Sequence, residues 1–307
     1  MPKSKTGKIS VKSESVKGKR RWDFSPLVFL SPSLLLFGVF IIYPLLRALW
    51  YSLNNVSLLG GMQGFTAFQN YVSVFQNPDF PAIVQHSLQW TLSAVGLQLI
   101  FGAFGALLLN QNFKLRGAVR GLAMIPWATP SVLVALIWMW LLDPNHGLIN
   151  AALLNIGVIS QPVAWLSNSE SALPTLILVD AWQGIPFFAV MILAALQSVP
   201  EELKDAAKTD GCSRYQVFRN VVIPHILPTV LITVVLRIIW TANYIDLIYI
   251  LTGGGPGYDT TTIPLSSYVT AYKIGDMGQG AAVVMIQAAV LTFLIAFYVR
   301  LSNQKEA

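Results

Sequence analysis

The chain has 307 residues, of which 54% are hydrophobic and only 11% are charged, whereas a soluble globular domain carries about 25% charged residues. Its mean hydropathy of +0.60 excludes an ordinary soluble protein and indicates an integral membrane protein. The net charge of +6 does not indicate nucleic-acid binding, because eight of the twenty lysines and arginines lie in the first 21 residues. The single cysteine, Cys212, excludes an intrachain disulfide.

Residues 1–24 are rich in Lys, Ser and Gly without an apolar period, which predicts a disordered basic tail. Six apolar stretches follow, each long enough to cross a bilayer as a helix. They lie at about 27–49, 87–109, 121–142, 174–197, 226–251 and 279–301. The sequence therefore predicts an all-α, polytopic fold with about six transmembrane helices, a membrane domain over 25–302 and a short tail over 303–307.

The basic residues also predict how the chain is oriented. If the N-terminus is cytoplasmic, seventeen of the twenty lysines and arginines fall in the tails and in the two loops on the same side. Positive charge accumulates on the cytoplasmic side of membrane proteins, so we expect both termini in the cytoplasm. The hydrophilic segment at about 199–224 then also faces the cytoplasm.

Several motifs of enzymes are missing from the sequence. It has no G-x-x-x-x-G-K-[ST] phosphate loop, no H-E-x-x-H pair and no G-x-S-x-G elbow, and its three histidines are isolated. The sequence therefore predicts neither an enzyme nor a metal site, and no cofactor bound by this chain. If the protein drives active transport with ATP, a separate subunit must hydrolyse it.

The stretch PEELKDAAKTDG interrupts the apolar pattern in the second half of the chain. Ser198 and Glu201 have the spacing of a capping box, so we expect a short helix to begin there and to end at Gly211. A second helical run then leads to Pro224. Ala206 and Ala207 would let a partner surface approach closely, although an ordinary solvated connector has the same pattern.

Charged residues within a span are costly and therefore indicate function. Asp180, Arg237 and Asp246 are such residues, and Asp180 with Arg237 could form an ion pair or contact a solute. Gly184 and Pro186 predict a break in the fourth helix beside a cavity, or a kink that serves packing.

The fifth span places aromatic and polar side chains over one half of a continuous helix, which suits the C–H faces and hydroxyls of an uncharged sugar. Aromatic residues in membrane helices also serve packing and the interfacial belt, so that interpretation stays open. The candidate residues of the solute path are Trp182, Gln183, Trp240, Asn243, Tyr244 and Asp246.

One motif is specific enough to indicate a family. The sequence DAAKTDG, followed after nine residues by VVIP, resembles the EAA motif of the membrane subunits of binding-protein-dependent ABC importers. Asp205 stands where the family usually has Glu, and the spacing is intact. WQGIPFFAVMILAALQSVP and NYIDLIYILTGGGPGYDTTT resemble the sugar-importer, MalF-like branch. The residues that match the coupling motif are Asp205, Ala206, Ala207, Gly211 and Pro224.

The resemblance implies the type I ABC importer membrane-subunit fold, in a prokaryotic cell membrane. It also implies four kinds of partner: a second homologous permease subunit, a dimer of ATP-binding-cassette ATPases that carry ATP and Mg, an extracytoplasmic sugar-binding protein, and membrane lipid. The chain would form half of an alternating path for a sugar that the sequence does not identify. The loop Gly253, Gly254, Gly255 and Pro256 would contact the binding protein, or serve only the turn.

Two other classes of function remain open at this point. The first is an ion-coupled secondary transporter that uses Asp180 or Asp246 as its coupling site. The second is a membrane scaffold that binds an ATPase without transporting a solute. Changes at Trp182 or Tyr244 would leave uptake unaltered if the chain were such a scaffold.

Overall fold

The computed structural model describes the backbone of residues 25–306 and the side chains of residues 29–300. The predicted basic tail, residues 1–24, lies outside the described residues. A boundary between two compact units falls between Arg47 and Ala48. The first helical stretch crosses this boundary and consists of α1 (Ser25–Phe37), the π-helical segment π1 (Gly38–Ile42) and α2 (Tyr43–Ser52).

The second unit begins at Ala48 and contains a small hairpin followed by helices. A bulged antiparallel hairpin, β1 (Asn54–Ser57) and β2 (Gly61–Phe65), precedes the short helix α3 (Gln69–Gln76). The other elements are α4 (Phe80–Leu109), α5 (Arg116–Ala123), α6 (Ile125–Ala128), α7 (Ser131–Leu141), α8 (Leu148–Asn155), α9 (Ser169–Ser198), α10 (Glu201–Thr209), α11 (Arg214–Val217), π2 (Phe218–Val222), α12 (Ile223–Ala242), α13 (Asp246–Leu251), α14 (Ile263–Tyr268), π3 (Val269–Ile274) and α15 (Met277–Glu306).

The predicted all-α membrane fold is confirmed, although the number of uninterrupted spans differs. Among the residues that the structure describes, five helical stretches are long and apolar enough to cross a bilayer. They are Phe29–Ser52, Phe80–Leu109, Ser169–Ser198, Arg214–Leu251 and Met277–Arg300. The predicted spans at 27–49, 87–109, 174–197 and 279–301 therefore correspond to continuous helices, with ends that differ by a few residues.

The predicted continuous helix at 121–142 is wrong, because the structure divides this stretch into α5, α6 and α7. Two prolines explain the division. Pro126 enters at the start of α6, and Thr129 has an extended backbone with ψ of 129°. A residue before proline disfavours the helical region, and here Pro130 follows. Only the 11-residue helix α7 continues from this break.

The predicted span at 226–251 lies within the apolar stretch Arg214–Leu251, but it is not one continuous helix. The helical run begins earlier, at Arg214, widens into the π2 turn just before Pro224 and ends at Ala242. A short break over 243–245 separates it from α13. The Asn243 side chain donates to the carbonyl of Ile239 at 2.7 Å, which competes with the regular helical pattern.

The expected break at Pro186 is not observed, since α9 is helical from Ser169 to Ser198 and contains both Pro174 and Pro186. The capping box expected at Ser198 is wrong as well. The Ser198 hydroxyl instead donates to the carbonyl of Ala195, and Pro200 precedes α10. A proline fits the start of a helix without any side-chain cap, because its missing N–H needs no partner there.

Besides a small third cluster where α3 meets α15, the buried core consists of two apolar clusters stacked along the helices. One contains Trp90 and Ala94 of α4, Leu176 of α9 and Leu247 of α13, together with residues of α7. The other lies towards the ends of α4 and α9 and the start of α12, and includes Phe188. Between these clusters, α4, α9 and α12 each contribute a buried polar residue, and this layer contains the candidate site.

Candidate functional site

A cavity of about 280 Å³ lies at the level where two helices are broken. One wall comes from the segment around the α6–α7 break, another from the middle of α9, and the third from the end of α12 and the break after it. The lining residues are Trp127, Ser131, Asp180, Gln183, Arg237, Trp240, Thr241 and Tyr244. The cavity is thus lined by polar groups and aromatic rings within a largely apolar bundle.

A buried glutamine joins the two charged residues beside this cavity. The Gln98 Nε2 of α4 donates to Asp180 Oδ2 at 2.9 Å and to the Asp180 carbonyl at 3.0 Å. The Arg237 Nε donates to Gln98 Oε1 at 2.8 Å. Arg237 Nη2 is 3.8 Å from Asp180 Oδ1, which is an ion-pair distance but too long for a hydrogen bond. We refer to Gln98, Asp180 and Arg237 as the polar clasp.

The polar clasp requires a glycine on α9. A Cβ added at Gly184 would lie 2.3 Å from the Gln98 side chain and 2.5 Å from Arg237 Nη2. These distances are far shorter than any van der Waals contact, so only glycine lets α4 and α12 bring their polar groups this close to α9. Gly184 therefore acts through close packing and not through a helix break.

Side chains from other helices complete the hydrogen bonds at the break after α12. The Trp90 indole N–H donates to the carbonyl of Thr241 at 3.0 Å, and Gln287 Nε2 donates to the carbonyl of Ala242 at 2.9 Å. The last carbonyls of a helix lack partners within that helix, and leaving them unpaired in a membrane is costly. The break after α12 is therefore stabilised by specific hydrogen bonds from other helices.

Two further hydrogen bonds connect the broken segments. The Tyr244 hydroxyl donates to Gln183 Oε1 at 3.0 Å, and Gln183 Nε2 donates to the carbonyl of Thr129 at 3.2 Å. The Ser131 hydroxyl, at the first residue of α7, donates to Asp246 Oδ2 at 3.2 Å. The side chain of Gln183 thus bridges both breaks across α9.

Aromatic rings continue from the cavity along α9. Trp127 and Phe187 stack with ring centroids 5.8 Å apart, and Phe187 and Trp240 are 5.3 Å apart. Trp127 and Trp240 are both more than 40% exposed. Exposed aromatic faces beside polar groups are suited to a solute that has both C–H surfaces and hydroxyls.

The predicted solute-path residues fall into two groups. Gln183, Trp240 and Tyr244 line the cavity, as do Asp180 and Arg237, which the sequence analysis assigned to a possible ion pair. Three others point elsewhere. Trp182 packs against Trp138 with centroids 5.6 Å apart, Asn243 accepts from Gln287, and Asp246 accepts from Ser131. Trp182 lies about 100° around α9 from Gln183, and the break after α12 explains why Asn243 and Asp246 do not continue the helical surface of Trp240.

Sequence reasoning missed four residues of this region: Gln98, Trp127, Ser131 and Thr241. One of them carried a usable signal. Gln98 is a completely buried amide in the middle of a predicted span, and a polar residue in such a position indicates function in the same way as a charge. The others become visible only once the breaks at 129–130 and 243–245 are known.

The predicted coupling residues lie on and after α10, at the opposite end of α9 from Ser169. Each residue of α10 is exposed or half-buried, and Leu203 is 48% exposed. Gly211 has a φ of +85°, so the prediction that it ends this helix in the left-handed region is confirmed. The Asp205 carboxylate accepts from the Lys208 ammonium at 2.8 Å, and this hydrogen bond raises the pKa of the lysine.

The glycine-rich loop after α13 is held by its own threonines. Thr261 Oγ1 donates to the carbonyl of Gly254, and Thr260 Oγ1 donates to the carbonyl of Gly255. Gly253 and Gly254 have φ values of +63° and +98°. Gly254 is buried and Pro256 is half-buried, so much of the loop serves its own conformation. A contact between this loop and another protein stays a prediction.

A polar cavity between broken apolar helices is typical of a membrane transport protein. The family described as the inner membrane component of binding-protein-dependent transport systems matches residues 98–305. The chain therefore belongs to this family. Its members are permease subunits without catalytic activity, and a separate subunit of the transporter is the ATPase.

Relatives and solved structures agree with this assignment. The trehalose/maltose transport system permease protein MalF of Thermococcus litoralis is 34% identical over 267 residues, which are 87% of this chain and 90% of the relative. The sulfoquinovosyl glycerol transport system permease protein SmoG of Agrobacterium fabrum is 30% identical over 281 residues, which are 91% of each chain. A chain of a bacterial ABC transporter that imports the acidic polysaccharide alginate has the same fold, with a TM-score of 0.79, 22% identity, and coverage of 92% and 96%.

Proposed function

We propose that this chain forms half of the translocation path for a sugar in an ATP-driven importer. The observation that carries the proposal is the cavity of about 280 Å³ between the two apolar clusters. Its lining combines hydroxyl, amide and guanidinium groups with the faces of Trp127 and Trp240. An uncharged sugar needs such a combination, because its rings present C–H surfaces and its hydroxyls both donate and accept hydrogen bonds.

The names of the relatives support a sugar as the solute. The two relatives are named for trehalose or maltose and for sulfoquinovosyl glycerol, and a structural neighbour is named for alginate. All four of these solutes are saccharides or saccharide derivatives. We therefore assign the substrate class as a mono-, di- or oligosaccharide.

The proposed assembly has four further components. A second homologous permease completes the path, a pair of ATPases with ATP and Mg docks on α10, an extracytoplasmic protein delivers the sugar, and lipid surrounds the bundle. One solved relative of this fold was crystallised with a periplasmic protein that carries alginate pentasaccharide. The positive-inside distribution of lysine and arginine supports both termini and α10 in the cytoplasm of a prokaryote.

The geometry does not favour the ion-coupled alternative. A carboxylate that exchanges a coupling ion must be free to change partners during transport. The Asp180 carboxylate is instead held by a hydrogen bond from Gln98 and by the nearby Arg237, and the Asp246 carboxylate accepts from Ser131. Membership of a binding-protein-dependent family also argues against an ion gradient as the energy source.

Purification and uptake test the proposal together. We expect an ATPase subunit to co-purify with the tagged chain from its native membrane, and the reconstituted complex to take up a labelled saccharide from a panel that includes maltose and trehalose. Uptake by this chain alone, driven by an ion gradient, would refute the importer assignment.

Variants of the cavity test the assignment of the path. Tyr244→Phe removes the hydroxyl that donates to Gln183, and Trp240→Leu removes an aromatic face. Both are expected to lower uptake while the complex still assembles. Trp182→Leu is the matched control, since Trp182 does not line the cavity. Unchanged uptake in both cavity variants would favour a scaffold without a transport path.

A further inference from the structure

An uncharged segment joins the first two apolar stretches of the chain. Residues 48–78 contain no Asp, Glu, Lys, Arg or His, although a chain with 11% charged residues would place about three charges in 31 positions. Within this segment the structure exposes large apolar side chains, including Leu59, Phe65, Phe68 and Phe75, each more than 60% exposed. A large exposed apolar surface of this kind marks a site that contacts lipid or another protein.

The position of α3 relates this surface to the membrane. Tyr71 and Val74 of α3 pack with Ala282 and Val283 of α15. The span in α15 is Met277–Arg300, and at about 1.5 Å per residue Val283 lies about 9 Å from its start. The helix α3 therefore lies beside the first turns of α15, at one end of this candidate span.

The side chains around α3 divide into three sectors, taking about 100° per residue. One sector holds Asn70 and Val74 and faces the protein, where the Asn70 amide donates to the carbonyls of Ser52 and Asn54 at 2.9 Å. A second sector is apolar and exposed, and it holds Val72 and Phe75 together with Phe68, which directly precedes the helix. A third sector is polar and exposed, and it holds Gln69 and Gln76. The centre of the polar sector lies about 80° from that of the apolar sector, and the protein-facing sector lies about 130° from the polar and about 150° from the apolar one.

Three sectors of this kind fit a helix that lies in the plane of the membrane interface and packs against a bundle. One face meets protein, the next meets acyl chains and the last meets headgroups and water. A helix that docked on a second protein would need no separate apolar and polar exposed faces. The apolar exposure also continues from α3 to Leu88 of α4 and Val284 of α15, both of which lie in spans.

We propose that α3 is an interfacial helix whose Phe68, Val72 and Phe75 side chains are buried in the lipid acyl region. The partner is the glycerol and upper acyl-chain region of the bilayer, without a preference for charged headgroups, because the segment has no charge of its own. If α3 lies there, contacts with lipid and with protein together hold the Met277 end of α15 in position. The proposal does not depend on which solute crosses the membrane.

Site-directed spin labelling tests this position. The full chain, with the subunits that co-purify with it, is reconstituted into vesicles of phosphatidylethanolamine and phosphatidylglycerol. A Cys212→Ser background removes the native thiol, and each variant is accepted when its complex elutes like the parent. Single cysteines carry a nitroxide label in the apolar sector at Phe68, Val72 and Phe75, and in the polar sector at Gln69 and Gln76.

Collision with oxygen, which concentrates in the bilayer, is compared with collision with a water-soluble nickel chelate. We expect the oxygen-to-nickel ratio in the apolar sector to be several-fold higher than in the polar sector of the same helix. High nickel collision in the apolar sector would place it in water and overturn the proposal. Low collision with both reagents there would mean that a protein covers the sector, which overturns it equally.

Discussion

The polar clasp and the α10 surface differ in where their partners lie. In the clasp, the three side chains of Gln98, Asp180 and Arg237 are buried and contact each other within about 4 Å. On α10, Asp205 is about two-thirds exposed and pairs only with Lys208, three residues away on the same helix. Exposed pairs of this kind contribute little to stability.

The difference separates two kinds of functional residue. The residues of the polar clasp find their hydrogen-bond and ion-pair partners within the chain. Removing one of them should therefore lower the free energy of unfolding. The α10 surface would find its partner groups on another subunit. Substitutions there should therefore leave the fold intact and alter the coupling of ATP hydrolysis to transport. Variants of the two regions should therefore differ in which measurement they change.

The largest effect on stability is expected from Arg237→Met. This change leaves the Asp180 carboxylate buried without its cation, and breaking a buried pair costs roughly 3–5 kcal/mol. Denaturant titration in mixed micelles should show a loss of that order in the free energy of unfolding. The double variant Asp180→Asn with Arg237→Met should recover most of it. An unaltered single variant would show that the two charges are not coupled.

Gly184→Ala is expected to have an intermediate effect. The added methyl group would overlap Gln98 and Arg237, and overpacking of a core costs about 1–3 kcal/mol. Gly96→Ala on α4 is the matched control, because a Cβ there has open space around it. A helical Gly→Ala change without a clash stabilises by roughly 0.5–1 kcal/mol. The same unfolding titration measures both, and equal effects would contradict the close packing at Gly184.

The sequence was informative where a residue's signal is local. Apolar length located four spans, and Gly211 marked the end of a short helix, because both features depend on neighbouring residues alone. The break after Ala128 was missed although Pro126 and Pro130 are local signals, whereas the break after Ala242 has no such signal. The second break depends on Trp90 and Gln287, which lie far away in the chain and supply the missing hydrogen bonds. Pro186 led to the opposite error, because it predicted a break that is absent from the continuous helix α9.

The same distinction applies to the candidate site. Asp180 and Arg237 were found because charge is rare in a span, yet their bridge through Gln98 required the packing of three helices. Trp182 and Gln183 are adjacent in sequence and equally plausible as solute contacts. Their different directions follow from the helical turn between them and from the position of the break beside α9.

Ala207→Glu is expected to leave stability unchanged and to alter coupling. Ala207 lies half-buried on α10, where a larger, charged side chain would obstruct a docked ATPase. We expect normal unfolding behaviour and membrane insertion, with ATP hydrolysis that no longer drives uptake in reconstituted vesicles. Thr209→Glu, at an exposed position on the same helix, is the control for added charge. Normal coupled uptake in Ala207→Glu would refute docking at this surface.

The smallest effect is expected from Asp205→Glu, which restores the residue that is usual at this position of the EAA motif. Glutamate keeps the negative charge three residues before Lys208, and both side chains are exposed, so the unfolding titration should not distinguish the variant from the parent. The ratio of sugar transported to ATP hydrolysed should also stay the same, because the longer side chain can reach the same partner group. A clear change in that ratio without a change in stability would show that the ATPase contacts this carboxylate directly and that the contact depends on the length of the side chain.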